Sequence, residues 1–222
     1  MANTPKPEDQ VDQWRSLMFL YDSALKRVNA KIEILNNEFV NRYDYNPIEH
    51  IKSRLKTADS IVKKLKKNGR EVTIENMKEY LSDIAGVRVI CSFTSDIYQI
   101  AEMIARQDDI TVLQVKDYIR NPKPNGYKSY HMVVTVPVYL SDGPVEMKVE
   151  IQIRSVAMDF WASLEHKIAY KFVGHAPENL LQELKDCADM VDMLDQKMFS
   201  LNEAITEFAK KNNPSGYKKS MG

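Results

Sequence analysis

The stretch KDYIRNPKPNGYKSYH, Lys116 to His131, gathers lysines, an amide, aromatic rings and an imidazole within a few residues. Pro122 and Pro124 stiffen it, Gly126 permits a tight turn, and Lys116 and Lys123 make it basic. Tyr127 and His131 stand at the entry into a strand, and their even spacing puts both side chains on one face. A ring beside an imidazole, served by a basic loop, suits a nucleotide: the ring stacks on the base, and His and Lys meet phosphate. The competing reading is a surface hairpin with ordinary strand residues, and spacing alone does not displace it.

Two carboxylates lie within reach of the same chemistry. Asp83, in SDIAGVRVICSF, precedes a buried strand that Arg88 enters, and Gly86 between them allows close backbone approach. A strand-end Asp is often a structural cap; it can equally hold Mg²⁺, which takes one or two carboxylates plus substrate phosphates. Glu150, in VEIQIR, shares the polar face of its strand with Gln152 and Arg154, an acceptor-only group beside donors. The run from Lys52 to Arg70 carries Arg54, Lys56, Lys63, Lys64, Lys66 and Lys67 against the single acid Asp59. Such a run is commonly a solvated helix face, yet it can also meet polyphosphate, and arginine can stack on a base.

The elements that must position these groups follow from periodicity. Val11, Trp14, Met18, Tyr21, Leu25, Val28, Ile32, Leu35 and Phe39 keep a three-four spacing, which predicts one long amphipathic helix. A second helix is expected from Asn46-Pro47 to Asn68-Gly69, with Ile48, Ile51, Leu55, Ala58, Val62 and Leu65 as its buried stripe. Strands are expected over Val87 to Phe93, Ile110 to Asp117, Ser129 to Val138 and Val145 to Arg154, with a helix from Ile97 to Arg106 joining the first two. In the last strand Val145, Met147, Val149, Ile151 and Ile153 alternate with polar residues, so one sheet face is apolar and the other a charged floor. Helices return from Ser155 to Lys171 and from Pro177 to Lys211. The latter carries the seam Leu184, Cys187, Val191, Leu194, Met198, Leu201, Ile205 and Phe208. Both terminal seams must be covered, by this chain's own sheet or by an oligomer interface.

Composition sets the outer bounds. With 222 residues, one substantial domain with helical extensions is expected. Lys plus Arg and Asp plus Glu are both 31, so no global charge advertises nucleic acid or membrane, and any anion site must come from local clustering. Cys91 and Cys187 sit in apolar-periodic surroundings and read as reduced core thiols. No apolar run has the length of a signal peptide or a membrane span, so a cytoplasmic protein without membrane partners is expected.

The order Ser53-Arg54-Leu55-Lys56, Lys64, Asp83-Ile-Ala-Gly-Val-Arg88, Lys116 through His131, and Glu150-Ile-Gln-Ile-Arg154 resembles the synthetase domain of the RelA/SpoT family. The resemblance implies an α+β fold: a nucleotidyltransferase-like mixed β-sheet of four to five strands flanked by helices, with long terminal helices. It divides the chain into a helix over 1–45, a catalytic domain over 46–172, a helix over 173–211 and a disordered tail over 212–222. With no preceding hydrolase motif, the chain looks like a small alarmone synthetase, transferring pyrophosphate from ATP to the 3′-hydroxyl of GDP or GTP.

The implied roles are specific. Arg54 and Arg88 flank adenine, and Lys56 and Lys64 hold the ATP phosphates. Asp83 and Glu150 bind Mg²⁺, and Glu150 is the candidate base. Tyr127 stacks on guanine, with Lys116, Lys123, Asn125, His131 and Gln152 around the acceptor. A homotetramer through the terminal helices is implied as well. Two departures stand out: Gln114-Val115-Lys116-Asp117 replaces the Arg-x-Lys-Asp of long bifunctional relatives, and Ser129-Tyr130-His131 replaces the frequent Ser-Leu-His. The alternatives are a nucleotide- or RNA-binding regulator without turnover and a transferase that adds a nucleotide; two carboxylates beside phosphates favour catalysis, because without Mg²⁺ they repel.

Overall fold

The three-four apolar spacing at the amino end folds as α1 (Pro7–Tyr43). A computed structural model describes residues 7–43, 45–169 and 177–212. Tyr21, Val28, Ile32 and Phe39 are buried along one side of α1, which lies on a β-sheet. After α1 come β1 (Ile48–Leu55), α2 (Ala58–Lys67), α3 (Ile74–Tyr80), β2 (Ala85–Cys91), α4 (Thr94–Ala105) and β3 (Thr111–Asp117). The chain then forms β4 (Tyr130–Leu140), β5 (Gly143–Ser155), α5 (Val156–Ala169) and α6 (Glu178–Asn212).

The five strands form one mixed sheet in the order β1-β2-β5-β4-β3. The β2–β5 pair is parallel and the other pairs are antiparallel. The apolar side chains of β2, β4 and β5 meet α1 and α4 in one continuous core. The opposite face of the sheet is polar, as the alternation in β5 requires. The expected α+β architecture, with its mixed sheet and long terminal helices, is therefore present.

The helix expected from Asn46 to Gly69 is instead β1 followed by α2. The reason is a bulge: Ile48 pairs with Cys91 and His50 with Ile90, so Glu49 is an extra residue that reverses the strand's parity. Ile48 and Ile51 thereby reach the same face of a strand although they are three apart, a spacing that reads as helical. Thr57 then caps α2 by accepting a hydrogen bond from the Ser60 amide, and Gly69, at φ +67°, follows its end. Arg54 consequently lies on a strand, Lys56 in the connection after it and Lys64 on a helix, rather than all on one helix. The short α3, capped by Thr73, occupies a segment for which the sequence predicted no element.

The cysteines and the last seam also divide. Cys91 is buried, and burial pushes its thiol above the usual range, whereas Cys187 is exposed on α6 and is not a core thiol. Within the chain α6 docks through Leu184, Ala188, Val191, Asp195 and Phe199, while Leu194, Met198, Leu201, Ile205 and Phe208 remain exposed. Of the tail expected over 212–222, Asn212 ends α6, and the rest lies outside the described residues.

Candidate active site

The strand register places the polar residues in two rows across the sheet. One row runs Lys52, Arg88, Gln152, His131, Lys116 from β1 to β3. The next runs Arg54, Gly86, Glu150, Val133, Gln114. Residues paired across neighbouring strands point to the same face, so these rows form a floor with Glu150 on the central strand. Gly86 keeps the floor low between Arg54 and Glu150: a Cβ there would meet only the Arg54 carbonyl oxygen, at 4.0 Å. Lys52, Arg54, Asp83, Gly86, Arg88, Glu150 and Gln152 line a cleft of about 310 Å³. That size falls within the range of about 300–1,000 Å³ typical of small-molecule sites.

At the β1 side of the cleft Asp83 Oδ2 accepts from Lys56 Nζ at 2.5 Å and Lys64 Nζ at 2.8 Å. Asp83 Oδ1 is buried without a hydrogen-bond partner. Burial alone raises the Asp83 carboxyl, but the hydrogen bonds and charges of the two lysines outweigh it and hold the group below the usual carboxylate range. Arg54 is exposed, and close enough to Arg88 for their like charges to oppose each other.

Glu150 is held from two sides. Gln152 Nε2 donates to Oε2 at 2.9 Å, and His131 Nδ1 lies 3.5 Å from Oε1. Burial raises this carboxyl as well, but the contacts with His131 and Gln152 prevail and lower it overall. The Tyr127 hydroxyl lies 2.8 Å from His131 Nε2 and accepts from Arg154 Nη2 at 2.6 Å. Lys123 Nζ rests against the rings of Tyr118 and Tyr127, 4.8 and 4.7 Å from their centroids.

Two residues absent from the predicted site tie its halves together. Arg154, buried at 4 % exposure, donates to Tyr127, to Gln152 Oε1, to Ser129 Oγ and to Asp159 Oδ1. Asp159, in the first turn of α5, also accepts from Arg88 at 3.3 Å. Burial and the Arg154 charge lower the Arg88 guanidinium, and Asp159 only partly offsets them. Two arginines thus share one carboxylate, leaving local positive charge in a chain whose formal net charge is zero. Strand parity already put Arg154 on this face; nothing local in the sequence joins Asp159 to Arg88, 71 residues away.

The remaining predicted residues sit at the margins. Lys116 is exposed at the end of its row on the edge strand. Asn125 turns toward α5, donating to Glu165 Oε1 at 3.3 Å, while its own Oδ1 accepts from the Tyr127 amide. Among the described residues no cluster of three or more His, Cys, Asp or Glu side chains could hold a metal ion unaided. What the chain offers is the orphaned Asp83 oxygen and the ionised Glu150, a hard-oxygen pair suited to Mg²⁺ only together with substrate phosphates.

Comparison with known proteins agrees with this geometry. Residues 53–175 match the family model described as a region found in RelA/SpoT proteins. The chain is 45% identical over 195 residues to GTP pyrophosphokinase YwaC of Bacillus subtilis (strain 168), covering 88% of this chain and 93% of that protein. The crystal structure of small alarmone synthetase 2 from B. subtilis has a TM-score of 0.78 at 44% identity, covering 86% of this chain and 98% of that one. Small alarmone synthetase 1 from the same organism, bound to its product pppGpp, has a TM-score of 0.79 at 33% identity, covering 87% and 98%.

The Asp83 ion pairs should show in stability. Because the native pKa is depressed, their stabilisation is present in full above the unfolded pKa and is lost as pH falls through the native value. The Tm gap between wild type and Asp83→Asn is expected to hold from neutral pH to about pH 5 and to close below about pH 4. A gap that persists unchanged at about pH 2 contradicts the pairing.

Proposed function

The chain belongs to the RelA/SpoT family, and from that premise we infer that it is a small alarmone synthetase. It transfers the β,γ-pyrophosphate of ATP to the 3′-hydroxyl of GDP or GTP, giving ppGpp or pppGpp and AMP. The observation that carries the reading is the polar sheet floor, with cations on the β1–β2 side, an aromatic loop on the β4 side and Glu150 between them.

ATP occupies the β1–β2 side. Arg54 and Arg88, unpaired with one another, flank adenine, and Lys56 and Lys64 exchange Asp83 for the phosphates. Release of Asp83 from two ammonium groups frees both its oxygens. Asp83 and Glu150 would hold Mg²⁺ there, which would supply charge neutralisation on the phosphate oxygens. The guanosine nucleotide occupies the β4 side, stacked on Tyr127, with His131, Gln152, Asn125 and Lys116 around it. Lys123 lies over the Tyr127 ring; when guanine takes that ring, an acceptor phosphate gives the ammonium a new partner.

The 3′-oxygen then attacks the β-phosphorus, the bond from that phosphorus to its bridge with the α-phosphorus breaks, and AMP leaves. The hydroxyl proton passes to Glu150 and from there to water. A carboxylate held below its usual range is a weak base, so Glu150 acts chiefly by orienting the hydroxyl and takes the proton as bond formation acidifies it.

The enzyme works as a homotetramer in the cytoplasm, where its substrates are made. The exposed series Val156, Phe160, Leu164, Ile168 on α5 and Leu194, Met198, Leu201, Ile205, Phe208 on α6 supports the assembly. Static light scattering at micromolar concentration is expected to give four times the mass of one chain; a monomer refutes the assembly.

The activity is tested by incubating the protein with Mg²⁺, ATP and GDP or GTP and separating nucleotides by anion exchange. AMP is expected in equal amount to a guanosine nucleotide carrying extra pyrophosphate, and Glu150→Gln should abolish both. Intact ATP under every acceptor tried would favour a binding protein. Tyr127→Ala should raise the acceptor KM about tenfold or more, since base stacking is worth ~1–3 kcal/mol, and leave the ATP KM nearly unchanged. Equal losses for both substrates contradict the stacking role.

A further inference from the structure

Tyr127 is flanked by residues that hold the loop against the last two helices. Before it, Asn125 donates to Glu165 on α5. Gly126, at φ +89°, packs so closely on α6 that an added Cβ would stand 2.5 Å from the Ala188 Cβ. After it, Lys128 Nζ pairs with Asp192 Oδ1 at 2.6 Å, with both side chains about three-quarters or more buried, at 20 % and 24 % exposure. Ala188 and Asp192 are four residues apart and share one face of α6.

That face is itself fixed. Trp161 Nε1 donates to the Leu184 carbonyl at 3.0 Å, and Asp195 Oδ2 accepts from Ser155 Oγ at 2.7 Å and Thr94 Oγ1 at 3.2 Å. The two anchors bracket residues 188–192, so α6 presents a rigid wall to the loop. Tyr127 turns its hydroxyl toward Arg154 and His131 and packs against the Trp161, Ala162 and Ala188 cluster, while its neighbour Lys128 pairs with α6. The loop that carries this ring is therefore seated on α6 by Gly126 against Ala188 and by Lys128 against Asp192, none of them placed around the acceptor.

We propose that Asp192 is a positioning residue for the acceptor, acting through Lys128 to seat the Tyr127 loop on α6, with Gly126 and Ala188 setting the distance of closest approach. This rests on the acceptor role of the loop argued above. Neither residue touches the ATP side, so the effect of breaking the pair falls on the guanosine nucleotide.

The test is a charge exchange. Lys128→Asp and Asp192→Lys are each expected to raise the acceptor KM about three- to tenfold and to lower the thermal midpoint, with the ATP KM little changed. The double exchange Lys128→Asp/Asp192→Lys should restore most of the loss, a rescue that a general packing defect does not produce. Where a single exchange unfolds the protein, Lys128→Met and Asp192→Asn carry the same KM comparison. Calorimetric binding of GDP to wild type and variants supplies a readout independent of turnover. Single variants with unchanged acceptor KM and GDP affinity, equal losses for ATP, or a double exchange worse than either single variant overturn the proposal while leaving the synthetase reading intact. A wild-type protein that neither turns over nor binds GDP removes both.

Discussion

The site depends on the two-residue period of the central strand. In β5 every second side chain is buried against α1 and α4, which forces Glu150, Gln152 and Arg154 onto the opposite face. Neighbouring strands inherit that choice through their register, so Arg88 and His131 are level with Gln152 without any local signal of their own. A slip of one residue would put Glu150 in the core and Ile151 in the cleft. The core and the catalytic floor are thus one constraint seen from two sides, and the bulge at Glu49 is what lets β1 obey it while delivering Lys52 and Arg54 to the floor.

Charge is arranged on that floor rather than carried by the whole molecule. Asp83 gathers Lys56 and Lys64, and Asp159 gathers Arg88 and Arg154, so each acid holds two cations near where phosphate or base is to bind. A buried arginine is costly unless its donors are met, and Arg154 meets them through Tyr127, Gln152, Ser129 and Asp159. The outcome is a network with few alternative arrangements, linking the donor side at Arg88 to the acceptor side at Tyr127. Preorganised charge of this kind acts on phosphoryl transfer without waiting for solvent to reorient.

How much of this the sequence disclosed follows from the length and regularity of each pattern. The stripe of α1 and the alternation of β5 are long enough to leave one interpretation, and Glu150 and Gln152 were legible because parity is local. In β1 the bulge gave Ile48 and Ile51 a helical spacing, and the capped α2 that follows completed the illusion. The short α3 buries only Met77, too little to create a period. Asp159 shows the deeper limit: its identity is plain, but its partner comes from another strand, and only the fold brings them together. Cys187 shows another, since a periodic seam does not say what covers it.

The last helix joins these themes, because its two faces have different fates. One face, through Leu184, Ala188, Asp192 and Asp195, is committed to the body of the chain and to the acceptor loop. The other leaves Leu194, Met198, Leu201 and Ile205 in solvent. The small residue at 188 is required by Gly126, and Gly126 is required both by its positive φ and by the nearness of 188; neither position can grow without moving the other. A rigid helix cannot shift on one face and stay still on the other. The exposed side of α6 and the seat of the Tyr127 loop are therefore two surfaces of one helix, and the acceptor side is the half of the site that meets that helix directly. The donor side, fixed between β1 and β2 and paired through Asp83, is joined to it through Arg154 and Asp159 at Arg88.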